Sequence, residues 1–225
     1  MFAGHVGVGL ALGSTERRVN VGVFVAASLL LDLLLWLFIL VGLESVTIPV
    51  TFAKTHQAHF IFPLSHGLAT SIIWSVVAGA VAYGALSGER AKRQRIALLL
   101  ALAVFSHWIL DAIVHRPEMP LLGLGSTTVG LSLWDHLWVS LPLEAVILIS
   151  GLALFVSRSP INRARTAALA GLSVLILVFT LVGMTVAPPP PSATAMAASS
   201  LVTITMVSAM TYWFGKSRLP DSRRS

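Results

Sequence analysis

Six stretches of this chain are each apolar for about as many residues as a helix needs to cross a lipid bilayer, and that repetition leaves few folds open. They cover residues 21–43, 63–86, 95–115, 131–156, 164–187 and 195–214. A helix rising ~1.5 Å per residue crosses the hydrocarbon core in roughly 20 residues with its backbone polar groups satisfied internally. Composition agrees: 56% of residues are hydrophobic and 11% charged, and that charge is about half the share of an ordinary soluble domain. The expected fold class is all-α, a polytopic membrane helical bundle of about six transmembrane helices. A seventh apolar segment, residues 2–13 ("FAGHVGVGLALG"), would reach only ~18 Å as a helix, too short to cross. It is expected as a short N-terminal half-helix tucked into the bundle, where Gly4, Gly7 and Gly9 let backbones approach closely. Lacking a basic start and a small-residue cleavage site, it does not read as a secretory signal.

The net charge of +6 is organised by position. Of the fifteen Lys and Arg residues, thirteen fall into alternate loops or the tail: Arg17 and Arg18; Arg90, Lys92, Arg93 and Arg95; Arg158, Arg163 and Arg165; Lys216, Arg218, Arg223 and Arg224. Only Lys54 and Arg116 remain for the other side. The positive-inside rule assigns the basic side, including the C-terminus, to the cytoplasm. The lipid bilayer is thus the expected partner, and the basicity requires no nucleic acid. The last two spans carry no Asp, Glu or His. Residues 1–160 (the half-helix and four spans) are therefore expected to hold any ionisable site. Residues 161–225 would add two accessory spans and a basic tail to the same structural domain, with "APPPPSAT" as a polyproline linker.

Nine ionisable residues lie within the apolar segments: His5, Asp32, His66, His107, Asp111, His115, Asp135, His136 and Glu144. Each is expensive there and marks either function or a paired interior contact. Counting residues along the spans puts Asp32, ~17 Å in, and His107 near the midplane, with His5 at a similar level. His66 falls in the first turn of the second span, and Asp135 and His136 near the outer end of the fourth, with Glu144 deeper. All share one zone between midplane and outer surface. In "FSHWILDAIVHRP", His107 and Asp111 are four apart, ~40° and ~6 Å on a helix, and can share one ion. His115, ~12 Å from His107 on a straight helix, is too far for the same ion and would serve a second ion bridged by Asp111, or face water. The chain has no Cys, so a metal must be held by imidazole and carboxylate, which suits Zn²⁺, Mn²⁺ or Fe²⁺. The alternative for each His is an interhelical hydrogen bond. Asp32, within "SLLLDLLLW", has nothing polar beside it in sequence apart from Ser28 and needs a partner from another helix. His56 and His59 read as solvated loop histidines, Glu144 as a supporting group or a partner for a Trp or Ser, and the Trp residues as interfacial or packing groups.

The segments "GHVGVGLAL", "LLLDLLLW", "FPLSHGL", "SHWILDAIVHRPEMPL", "VGLSLWDHLW" followed by "PLE", and "APPPPS" occur in that order. Together they resemble a group of bacterial inner-membrane proteins known as membrane-bound metal-dependent hydrolases. The resemblance spans nearly the whole chain, with SHW-x2-LD-x3-HRP its most specific part. That group has been linked to the all-helical zinc phospholipase C and single-strand nuclease superfamily, in which His and Asp side chains hold metal ions that activate water against a phosphodiester. The resemblance implies metal-ligand roles for His5, Asp32, His66, His107 and Asp111, with His115 as a further member, and a bacterial inner-membrane location. Two departures stand out. Other branches carry a His-Arg-Gly-x-Thr-His-Ser motif where this chain has the single His of "FPLSHGL", and Asp135 stands where related sequences show Asn.

The resulting expectation is a metal-dependent hydrolase, zinc being the first choice, acting on a phosphoester or lipid-like substrate near the outer leaflet. Asp32 or Asp111 would be its catalytic base. Intramembrane Asp and His also serve ion- and proton-coupled transporters, although no inverted repeat is visible. A non-catalytic scaffold stapled by the cluster, or a haem bundle with axial His, are the remaining alternatives.

Overall fold

In the computed structural model, which describes residues 1–216, the short apolar segment forms α1 (Phe2–Gly13) with the predicted bounds. The first expected span, 21–43, is not one helix. It divides into α2 (Val21–Ser28) and α3 (Leu30–Leu40), bent by 51° at Leu29. Neither Pro nor Gly lies at the break. Instead the Ser28 hydroxyl donates to the Val25 carbonyl at 2.8 Å, and the Ser28 carbonyl accepts from His107 Nδ1 at 2.7 Å. Side chains that enter the backbone ladder in this way bend helices.

The connection to the second span holds β1 (Ser45–Thr47), a single turn α4 (Phe52–Thr55) and β2 (His59–Ile61), which pairs antiparallel to β1 with Val46 opposite Phe60. Helix α5 (Leu68–Ala85) starts later than expected, leaving His66 in the preceding loop rather than in a first helical turn. There the backbone N–H groups of Leu64 and Ser65 both donate to Glu44 Oε1 at 2.8 Å, which holds residues 63–67 outside the helix. Helix α6 (Arg90–Val114) starts earlier than expected, taking in the basic turn, and His115 is its C-cap. A small hairpin follows, β3 (Met119–Pro120) against β4 (Thr128–Val129). The fourth span is α7 (Leu137–Arg158), beginning six residues later than expected because Leu133–Asp135 form a 3-10 turn entered through Ser132 at φ +58°. Helices α8 (Arg163–Thr185) and α9 (Ala193–Phe214) complete the bundle.

Five of these helices are long and apolar enough to cross a membrane, and six segments are so if the bent α2–α3 pair counts as one. The protein is a membrane-embedded all-α bundle. Arg218, Arg223 and Arg224, part of the expected cytoplasmic tail, lie outside the described residues.

Helix α1 occupies the centre, wedged between α7 and α2 with its Ala3, His5, Val6 and Leu10 buried. Two of its glycines make this possible. A Cβ on Gly7 would sit 2.5 Å from the Ile147 carbonyl oxygen of α7, and one on Gly9 2.7 Å from Val25 Cα of α2. Helix α9 packs chiefly on α2 and α3 rather than on its neighbour α8. The two spans without Asp, Glu or His are therefore built into the bundle beside α1–α3.

Candidate metal centre

Helix α6 supplies His107 and Asp111 from one face, 0% and 2% exposed. Helix α1 lays His5 flat on His107, rings 3.6 Å apart and 8° from parallel. The first turn of α3, just past the bend, supplies Asp32, and the loop before α5 supplies His66. Four separate elements thus bring five residues together.

The spacing is tight. His66 Nε2 and His107 Nε2 are 3.2 Å apart, and Asp111 Oδ2 lies 3.4 and 3.1 Å from them. Donor atoms on one face of a tetrahedron with 2.0–2.1 Å metal bonds are separated by about 3.3 Å. Asp32 Oδ1 lies 3.7 Å from His66 Nε2 and 3.6 Å from His107 Nε2. His5 Nε2 approaches Asp111 Oδ1 at 3.0 Å, and its Nδ1 is buried with no hydrogen-bond partner among the described residues.

Two buried hydrogen-bond chains fix which imidazole nitrogens carry protons. A carbonyl can only accept, so His107 Nδ1 donates its hydrogen to Ser28 and a neutral ring keeps its lone pair on Nε2. The Ser65 hydroxyl donates to Glu44 Oε2 at 2.7 Å and so accepts from His66 Nδ1 at 2.8 Å, which leaves the lone pair of His66 on Nε2 as well. Both lone pairs then face each other and two carboxylates. Electron-rich atoms meeting in a buried space repel unless an imidazole is protonated or a cation lies among them, and buried charges require such compensation. Two nitrogen donors, two carboxylates and no thiolate make a set that zinc, manganese or iron accepts. The group can hold a metal ion. Two overlapping triads, His66–His107–Asp111 and His5–Asp32–His107, meet the spacing that an ion requires. Both draw on His107, whose one free lone pair serves one ion.

The surroundings correct several expectations. His115 does not face bulk water: it is buried at 5% exposure against the Trp134 ring, 4.4 Å away, and its Nδ1 contacts Glu118 Oε1 at 2.7 Å. Its Nε2 is 3.9 Å from Asp111 Oδ2, beside the triads but outside both. Glu144 caps α1 instead of pairing with Trp or Ser, accepting from the backbone N–H groups of Ala3 at 2.9 Å and Gly4 at 3.4 Å. A helix N-terminus carries unsatisfied N–H groups and partial positive charge, which a carboxylate answers. The Met1 amine lies 2.9 Å from Asp111 Oδ1. Asp135 sits before α7 and is paired with Arg116 at 2.7 Å, which holds its carboxyl below the usual carboxylate range. His59 is exposed as expected, although it opens β2 rather than lying in a loop, whereas His56 is half-buried and adopts φ +51°. Trp36 and Trp134 do more than pack, since both line a cavity beside the cluster.

That cavity holds about 280 Å³. Asp32, His66 and Asp111 lie along it; Phe52 of α4 and Phe60 of β2 line one side, and Phe179 of α8 and Met196 of α9 line another. Asp32 is the most exposed member of the cluster, at 20%.

Sequence reasoning passed over Glu44 and Ser65. Burial raises the Glu44 carboxyl above its ordinary value, opposed by its hydrogen bonds from Ser65 and Leu64. Outer partners of this kind set ligand tautomer and basicity, and their loss typically weakens metal affinity 10–100-fold. Ser65→Ala is accordingly expected to weaken metal binding about 10–100-fold in a chelator competition titration, with Ser65→Thr restoring most of it. Equal affinity in wild type and Ser65→Ala would show that the chain from Glu44 does not orient His66. Comparison of the whole chain with protein-family models, with curated proteins and with solved structures finds no match to any of them.

Proposed function

We propose that this chain is a membrane-bound metal-dependent hydrolase of phosphoester or lipid-like substrates. We place it in a bacterial inner membrane with a cytoplasmic C-terminus and the site toward the outer leaflet. The observation that carries the reading is the meeting of His66, His107 and Asp111 at metal-ligand spacing, with His66 and Asp111 also lining a largely apolar cavity. The resemblance of "SHWILDAIVHRPEMPL" to membrane-bound metal-dependent hydrolases points the same way, as does the alternation of basic loops. His66, His107 and Asp111 would hold the ion, zinc by preference, with His5 and His115 adjoining them. Such an ion lowers the pKa of a bound water to about 7 and polarises the scissile group. Asp32, with its partial exposure to the cavity, is positioned to take the proton from the attacking water, a role that contributes ~10²–10⁴-fold. Asp111, buried among imidazoles, serves the ion instead. Glu44 and Ser65 hold His66 in its ligand tautomer.

The test is hydrolysis of bis(p-nitrophenyl) phosphate and of a phospholipid panel by protein in nanodiscs. Activity should vanish in chelator, return with zinc, and fall ~10²–10⁴-fold in Asp32→Asn while the metal is retained. Metal-loaded protein that cleaves none of these substrates would reject the reading. One observation favours a second reading, an ion-coupled transporter: the α2–α3 bend immediately precedes Asp32, and discontinuous helices hold ion sites in transporters. Proteoliposome flux that Asp32→Asn abolishes, in protein without hydrolytic activity, would select it.

A further inference from the structure

We infer that the cavity beside the His/Asp cluster is a binding site for the chain of a membrane lipid, entered sideways from the bilayer between α8 and α9. The inference rests on the proposed hydrolase for what happens to the bound head group, but not for the binding itself. Its first support is shape. On one side the segment from α4 to just past β2 lines the cavity with well-buried residues, Phe52 at 6% exposure, Ala58 at 8% and Phe62 at 1%. Sideways the packing opens. Phe179 lines the cavity and is still 55% exposed on the outer face of α8, so the cavity reaches the apolar surface of the bundle there. Helices α8 and α9 touch each other less than either α1 and α2 or α5 and α6 do. Trp36, Phe60, Met184, Met196 and Ile204 make the walls apolar, and the two methionines can adapt to a flexible chain.

The second support is an unpaired donor. Thr180 on α8 is 8% exposed and lines the cavity, and its Oγ1 has no hydrogen-bond partner among the described residues. Its neighbours on the same helix behave differently: Ser173 Oγ donates to the Leu169 carbonyl at 2.9 Å and Thr185 Oγ1 to the Leu181 carbonyl at 2.6 Å. Trp134, also in the cavity wall, has a buried Nε1–H without a partner. A buried donor left unpaired is unfavourable. A ligand that offers acceptor oxygens at the head of an apolar chain, as glycerophospholipids do in their ester and phosphate groups, answers both donors and the walls together. A hydrocarbon would leave the donors unpaired, and a small water-soluble anion would leave the walls unfilled.

Gly183 makes the test clean. It lines the cavity on α8, and a Cβ added there meets nothing within 4 Å, so a larger side chain enters open space. The probe is a phosphatidylglycerol bearing a photoreactive diazirine near the end of one acyl chain, in nanodiscs of phosphatidylethanolamine and phosphatidylglycerol. Photolysis and peptide mapping should place label on Met184 and Met196 in wild type and in Gly183→Ala. Gly183→Trp should lose that label while keeping wild-type metal content and thermal stability. Met196→Trp, filling the same space from α9, provides the second variant should Gly183→Trp not fold. Label confined to outward residues such as Val178 and Val182, or cavity label unchanged by either tryptophan, overturns the site. Cavity labelling in protein that hydrolyses nothing would leave the lipid site standing and remove the hydrolase. Cleavage of the soluble diester without cavity labelling would do the reverse.

Discussion

His107→Ala is expected to abolish stoichiometric metal binding, more completely than any other single substitution in the cluster. His107 belongs to both triads and no other residue does. Its Nε2 lies within 3.6 Å of Asp32 Oδ1, Asp111 Oδ2 and His66 Nε2, so its removal takes away a donor and the centre around which the others gather. The loss in affinity should exceed the 10–100-fold of an outer partner. The same change releases the Ser28 carbonyl. Metal analysis of wild type, His107→Ala and His59→Ala, purified in detergent, provides the measurement. His59 is exposed and belongs to neither triad, so His59→Ala should retain full occupancy. Undiminished metal in His107→Ala would separate the cluster from metal binding altogether.

Gly7→Leu is expected to have the largest effect on stability. The added side chain would be driven into the Ile147 carbonyl and Leu148 Cα of α7, both backbone, and on the other partner a Cβ at Gly151 would run into the Gly7 carbonyl. Backbone cannot yield by a rotamer change, so the destabilisation should reach or pass the ~1–3 kcal/mol of an overpacked core. Displacing α1 also moves His5 and the N–H groups that Glu144 accepts. Metal occupancy and the unfolding temperature should therefore fall together. Gly84→Leu offers the matched control: a Cβ there meets nothing within 4 Å, and surface changes of this kind stay within about 0.5 kcal/mol. Similar stability for the two variants would contradict the wedge.

The features read most directly from sequence were those governed by length and period. A twelve-residue apolar segment cannot cross a bilayer and must dock, and α1 does so through Gly7 and Gly9. The interval of four between His107 and Asp111 places both on one face of α6, because helix geometry fixes it. Asp32 and His66 could be paired with that face only on the ground that costly groups seek company. What escaped depends on partners that local sequence does not hold. The bend at Leu29 arises from a histidine 79 residues away taking the Ser28 carbonyl, and it leaves no proline or glycine as a sign. Glu44 reaches Ser65 across 21 residues of mixed loop. Glu144 answers backbone N–H groups, which have no sequence identity at all. Thr180 resembles any other threonine in an apolar helix until its unpaired hydroxyl is seen. The late start of α7 had a local sign, Ser132 and Asp135 before Leu137, but the hydropathy run overrode it.

The capping of α1 by Glu144 has a consequence for biogenesis. The ribosome delivers α1 before α7, while the carboxylate that completes the N-terminal turn of α1 belongs to α7, more than 140 residues later. Until α7 emerges, a helix too short to cross, with uncapped amides, has no finished berth in the bilayer core and must wait at the interface with its imidazole unsheltered. Insertion and assembly are therefore separate events here, and the packing of α1 against α7 forms only after the fourth span has arrived.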